Sequence, residues 1–204
     1  MAALKHISPA QQDAAARLAP LLPADAYLAG GIAIAAALDH RSSLDLDVFM
    51  RTTDPRSLIA KLGHVRGAKV ISQASDTLEL EIGEIPTSLL RYSYPNLVAP
   101  APVDPIAIPC ASLVDLTAMK LSAISNRGAA KDFWDLHDLI LHRGIDLSSA
   151  LAEFERKYID IDTGAVVRSL AYFGDADAEP LPRGLDADTW AAIKADTRRW
   201  VSAL

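Results

Sequence analysis

Apolar residues recur with two different periods along this chain, and the change between them falls near its middle. In the first half the signal is mostly alternation. Tyr27-Leu28-Ala29 reads as a short apolar strand that runs into Gly30-Gly31 and then an alanine-rich helix. After a polar loop through Arg41-Ser42-Ser43, Leu44, Leu46 and Val48 alternate with Asp45, Asp47 and Phe49. A period of two predicts a strand over 44–49 that buries the leucines and valine and sends both carboxylates to the other face. Lys69 to Ser72 reads as a short strand, and Thr77 to Ile82 as a half-buried one. Gly83-Glu84 makes a tight reversal into a partner strand over 85–92, with Pro86 near its start, where a missing N–H is tolerated.

Helix signals flank these strands. Ser8-Pro9 reads as an N-cap with proline at the first helical position, opening a helix through about Leu21 that Pro23 ends. Asp54-Pro55 opens another, near 56–62, that stops at Gly63. The proline-rich segment 93–109 shows no regular period and reads as an ordered connection.

From Ser112 onward the period is helical. Ser112 and Asp115 match a capping box, and Gly128 is placed to end the helix they start. Further helices are expected near 131–142, 148–158, 163–173 and 188–202, with a loop at 174–184. Strands first and helices afterwards predict an α+β core over 1–110, a small mixed sheet flanked by helices, with a helical bundle over 111–204.

Composition narrows the setting. A chain of 204 residues suits one domain, or one domain with a helical appendage. No apolar run approaches membrane-spanning length and the N-terminus lacks a signal-peptide pattern, so a cytoplasmic protein is expected. Cys110 is the only cysteine, which excludes an internal disulfide, and no Cys/His zinc spacing is present. A net charge of −6 disfavours broad nonspecific nucleic-acid binding, yet allows a local basic patch or a basic partner.

The chemistry concentrates between Tyr27 and Met50. Asp45 and Asp47 on one strand face repel each other, and a hard divalent cation is the simplest compensation. A Gly-Gly pair at a strand-to-helix turn lets backbone N–H groups approach an anion at the positive end of the helix. Phosphate at the glycines and metal on the acids together describe a nucleotide–metal site. Neither G-x-G-x-x-G nor G-x-x-x-x-G-K is present, so this is not a Rossmann or P-loop arrangement.

Strand, Gly-Gly, helix, loop and Asp-x-Asp strand in this order resemble the opening of DNA polymerase beta-type nucleotidyltransferases. AGGIAIAAALDHRSSLDLDVF is similar, more closely, to the AbiEii/AbiGii toxin family of such enzymes, and DLTAMKLSAISNRGAAKDFWDLHDLI is similar to that family's later motif. The resemblance implies Mg²⁺ or Mn²⁺ on Asp45 and Asp47. It also implies an NTP with its triphosphate at Gly30, Gly31 and Lys120, and further nucleotide contacts from Arg41, Ser43, Arg127 and Lys131. Lys120 and one of Asp135 or Asp132 would join the Asp-x-Asp pair in the active cleft. The implied reaction moves NMP to an acceptor, RNA such as tRNA or protein, and releases pyrophosphate. A toxin role in phage defence or a toxin–antitoxin system, with a cognate antitoxin, follows from the same likeness.

One position departs from the pattern. Polymerase beta-type enzymes usually carry a third carboxylate on a neighbouring strand, and here Thr87 and Ser88 stand in its place. Glu79, Glu81 and Glu84 read as solvent-facing hairpin residues, and Asp135 is the candidate replacement from the helical side. The rival reading is therefore a catalytically weakened module of the same fold that binds nucleotide or a partner. Other residues carry less. Lys131 and Asp135 also suit an i,i+4 ion pair, and Arg41 reads either as an orienter of Asp45 or phosphate or as a plain loop cation. His137 and His142, five apart, do not share a helix face for a metal. Trp134, Trp190, Trp200 and Cys110 fit core positions.

Overall fold

A computed structural model describes residues 6–204, which divide into two compact units, the first ending at Ser112 and the second beginning at Leu113. The first unit holds seven strands: β1 (Tyr27–Ala29), β2 (Leu46–Met50), β3 (Ala68–Gln73), β4 (Thr77–Ile82), β5 (Ile85–Arg91), β6 (Ala101–Val103) and β7 (Ile106–Cys110). Their order in the sheet is β3-β4-β5-β2-β1-β7-β6. The β2–β5 and β1–β7 pairs are parallel and the rest antiparallel, so the sheet is mixed, as the sequence predicts.

Register decides which side chains meet. Leu28, Val48, Leu89 and Leu78 face one another across β1, β2, β5 and β4, and all four are fully buried. One residue along each strand, on the opposite face, the matching row is Ala29, Asp47, Ser88 and Glu79. A one-residue slip would exchange the rows, exposing side chains worth about 1.5–3 kcal/mol each when buried and burying Asp47 instead. The apolar row thereby fixes the polar one.

Helix α1 (Pro9–Leu18) packs on β7 and β5 through a buried face of Ala14, Ala15 and Leu18. Ser8 and Gln11 form a reciprocal capping box at its start, and a 3-10 turn over Ala19–Leu21 completes the segment. Helix α2 (Gly30–Leu38) packs on β1 and β2, and the 55–62 segment is a 3-10 turn continued by α3 (Ile59–Leu62).

Two expectations are corrected. Leu44 is 74% exposed and β2 begins only at Leu46, so Asp45 sits just before the strand rather than within it. The proline-rich connection forms the β6–β7 hairpin, in which Ile106, Ile108 and Cys110 point inward while Pro109 points out.

The second unit is helical: α4 (Leu113–Asn126), α5 (Ala130–Arg143), α6 (Leu147–Lys157), α7 (Thr163–Leu170), α8 (Gly174–Ala178) and α9 (Ala187–Ser202). Helix α8 occupies part of the expected 174–184 loop. Asp146, Asp162 and Asp186 cap α6, α7 and α9 by accepting backbone N–H bonds. Helix α4 packs on α5, α6 and α7. Lys157 Nζ lies 2.7 Å from Asp115 Oδ1, with both side chains fully buried. Trp190 packs against Phe133 and Phe173 and donates its indole N–H to Asp177 at 2.8 Å, which makes it core. Among the described residues no helix is long and apolar enough to cross a membrane.

A pH-dependent tie joins α5 to α9. His137 stacks on Trp200 at 5.3 Å, with Nδ1 3.2 Å from Asp138 Oδ1 and Nε2 3.0 Å from Asp196 Oδ2. Burial lowers its pKa, but the two carboxylates outweigh burial and leave it raised. The stabilisation is therefore full below about pH 6.5, the value for a free imidazole, and is lost as pH climbs through the raised folded value. Thermal unfolding followed from pH 6 to 9 should show the wild-type midpoint falling further than that of His137→Gln.

Candidate functional site

The glycine turn is built around close approaches from the next strand and its loop. Gly30 begins α2 with φ +69°, a left-handed conformation that costs other L-residues about 1–2 kcal/mol. A Cβ at Gly30 would run into Asp47 Oδ2 and lie 3.1 Å from Cγ of the same carboxylate. The β1–β2 register produces this contact, because Ala29 is paired with Asp47 and Gly30 follows it. A Cβ at Gly31 would collide with Ser43 Oγ, 2.9 Å from Ser43 Cβ and 3.2 Å from Arg41 Nη2. Both glycines are thus required by packing, and together they bring Gly30, Gly31, Arg41, Ser43 and Asp47 into one place.

The loop before Asp45 is pinned from inside. Arg41 is buried and its Nη1 donates to the Ser42 carbonyl at 3.0 Å. Gln11 on α1 donates its side-chain amide to the carbonyls of Ser43 at 2.7 Å and Leu44 at 3.3 Å. Gln11 was not among the sequence candidates, although its spacing three residues after Ser8 already marks a capping-box partner. Its carbonyl end caps α1 and its amide end holds the loop, so one side chain positions Asp45. Asp45 is exposed and Asp47 half-buried on the sheet face away from the core.

Substituting Gly30→Ala should destabilise the protein and displace the Asp47 carboxylate. Urea unfolding should show a loss of about 2–4 kcal/mol, of which about 1–2 is backbone cost. In an Asp47→Ala background only the backbone part should remain, a coupling that a double-mutant cycle reads directly.

The neighbouring strands qualify the missing acid. Thr87 points into the core, fully buried, with its hydroxyl donating to the Ile85 carbonyl at 3.2 Å. Ser88 is the residue beside Asp47. Glu79 is not merely a solvent-facing hairpin residue: it is half-buried and accepts the Ser88 Oγ hydrogen bond at 2.9 Å. Glu81 is half-buried on the same strand face, and Glu84 is exposed.

Within the second unit, Lys120 Nζ lies 2.9 Å from Asp132 Oδ1 and 2.7 Å from Asp135 Oδ2. Arg127 grips Asp132 with two bonds, Nε to Oδ2 at 2.7 Å and Nη2 to Oδ1 at 2.8 Å. The seven-residue spacing of Lys120 and Arg127 brings both to the same carboxylate. Burial raises the Asp132 pKa, but Arg127 and Lys120 outweigh it and hold the carboxyl below its usual range. Both aspartates are fully buried, Lys120 nearly so, and Lys131 is exposed. Burial also pushes the Cys110 thiol up to about 12, so it is no nucleophile at neutral pH.

Comparison with known proteins agrees with this architecture. The family model described as nucleotidyl transferase AbiEii toxin, Type IV TA system, matches residues 58–202, a segment that begins after the Asp45–Asp47 pair. An uncharacterised protein of Aquifex aeolicus (strain VF5) is 35% identical over 158 residues, covering 76% of this chain and 77% of the relative. Among solved structures, the nucleotidyltransferase toxin MenT4 of Mycobacterium tuberculosis H37Rv is similar in fold, with TM-score 0.67 and 16% identity over 96% of this chain and 82% of that one. JHP933 of Helicobacter pylori is similar with TM-score 0.53 and 15% identity, covering 94% of this chain and 88% of that one. With the family match extending over most of its length, this chain belongs to the AbiEii family of nucleotidyl transferase toxins.

Proposed function

We propose that the chain transfers NMP from an NTP to a hydroxyl acceptor, on RNA such as tRNA or on protein, at the turn where Gly30 and Asp47 meet. The observation that carries this reading is the Asp47 carboxylate lying against the backbone of Gly30 at the start of α2, with Asp45 two residues away. Helix N-terminal amides favour phosphate, and acids beside them would repel it unless a cation intervenes.

The donor set fits such a cation. Asp47 is half-buried beside Gly30 and Asp45 is exposed two residues before it, and both offer hard carboxylate oxygens. Two carboxylates without a closed protein cage suit Mg²⁺ or Mn²⁺, which fills its remaining positions with substrate phosphate and water. When bound there, the ion would neutralise the triphosphate and the charge on the departing pyrophosphate.

The chain's own residues position the reactants. Gly30 and Gly31 keep the helix start clear of side chains, so backbone N–H groups can meet phosphate oxygens. Ser43 beside Gly31 offers a hydroxyl, and buried Arg41 adds positive charge behind the same loop. Gln11 holds that loop in place. Positioning and charge neutralisation supply most of the catalysis in phosphoryl transfer.

The toxin family supports a nucleotide substrate and an antitoxin partner. We assign the chain to the toxin side of a toxin–antitoxin or phage-defence pair. Incubation with each alpha-labelled NTP and Mg²⁺, with total RNA or cell protein in separate reactions, tests the activity and its acceptor together. Label in one fraction, abolished by Asp45→Ala, supports transfer. Metal-independent NTP binding without transfer supports a binding module instead.

A further inference from the structure

We propose that Ser88 and Glu79 form the route by which the attacking hydroxyl loses its proton. The proposal rests on the nucleotidyl-transfer reading above and names residues for one step of it. Ser88 stands between two acids in a single cross-strand row: Asp47 beside it on β2 and Glu79 beside it on β4. Adjacent strands lie about 4.8 Å apart, so Glu79 is two spacings from Asp47 and on the same face. The next row along this face is Tyr27, Phe49, Leu90 and Thr77, mainly apolar. On that side the polar row is bordered by an apolar one, whereas on the other side the same face of β4 carries Glu81, and the row itself runs on to Ser72 of β3.

The hydrogen bond between the two side chains has a fixed direction. A carboxylate only accepts, so the Ser88 hydroxyl spends its single proton on Glu79 Oε2 at 2.9 Å. Ser88 Oγ keeps its lone pairs as acceptors on the strand next to Asp47, polarised by the carboxylate to which it donates. An acceptor hydroxyl brought beside Asp47 can donate to that oxygen. As it attacks, its proton passes to Ser88 Oγ while the Ser88 proton passes to Glu79 Oε2. The new O–P bond forms at the α-phosphorus, the bond to the bridging oxygen breaks, and that electron pair departs with pyrophosphate. Glu79 then returns its proton to water. Ser88 touches the reacting hydroxyl, and Glu79 acts through Ser88 as a positioning and proton-storing residue.

Single-turnover labelling of total tRNA and of cell protein, with each alpha-labelled NTP and Mg²⁺, tests this on the full chain. Ser88→Ala and Glu79→Gln should each slow the chemical step about 100-fold with little change in the NTP concentration at half-saturation. Ser88→Thr, which keeps the hydroxyl and suits a strand, should stay within about threefold of wild type. Ser88→Asp should recover most of the rate in the Glu79→Gln background. The solvent deuterium isotope effect should reflect two protons in wild type and one in that double variant, a change no purely structural role would cause. Wild-type rates in Ser88→Ala and Glu79→Gln, with Asp47→Ala inactive, would overturn the route and leave the site reading standing. Full activity in Asp47→Ala, or no labelling by the wild type, would remove the site reading and the route with it.

Discussion

Asp47→Ala should lower the rate of nucleotidyl transfer by about 1000-fold, roughly 4 kcal/mol of transition-state stabilisation, and leave the fold intact. Asp47 carries that weight because its carboxylate is held against Gly30 by strand register. The fold survives because the side chain lies on the face opposite the buried Leu28–Val48–Leu89–Leu78 row. Asp45→Ala should give a loss of the same order. Transfer rates measured beside urea midpoints separate the two effects: a large fall in rate with an unmoved midpoint is expected, and matched falls in both would refute the assignment.

Lys120→Ala should destabilise the second unit by about 3–5 kcal/mol, the cost of breaking a buried ion pair. The amine is shared by two fully buried carboxylates, whereas an exposed pair contributes at most about 1 kcal/mol. Acid unfolding gives a second readout. Asp132 is held below its usual range by Arg127 and Lys120. Its stabilisation is full above about pH 4 and is lost as pH falls through the depressed value. Without Lys120 that depression weakens, so unfolding should begin at a higher pH than in wild type. Urea and acid titrations followed by circular dichroism would show both shifts, and an unchanged profile would mean that the amine contributes nothing to stability.

Much of the first unit could be read from alternation alone, because a half-buried strand writes its register into its apolar positions. The strand that carries Asp47 is legible for that reason, and the glycine turn from the Gly-Gly pair that follows an apolar strand. Leu44 misled, since the alternation continues one step beyond the point where the chain joins the sheet. The β6–β7 hairpin was hidden by prolines, although Ile106, Ile108 and Cys110 alternate inward throughout. Partnership across strands was less accessible. The tight turn at Gly83-Glu84 pairs Ile82 with Ile85, and counting outward places Glu79 opposite Ser88. The parallel pairing of β2 with β5, which sets Ser88 beside Asp47, links segments some forty residues apart and leaves no local trace. The Lys120–Asp132 contact escaped for a related reason, because Gly128 breaks the helix between them and ends any angular count.

Calorimetric titration of each NTP into the full chain, with and without Mg²⁺, tests most directly whether the turn joining Gly30 to Asp47 is a nucleotide–metal site. Binding of at least one NTP should require the metal and should vanish in Asp45→Ala and Asp47→Ala. Equal affinity in all three proteins, or binding indifferent to the metal, would contradict it.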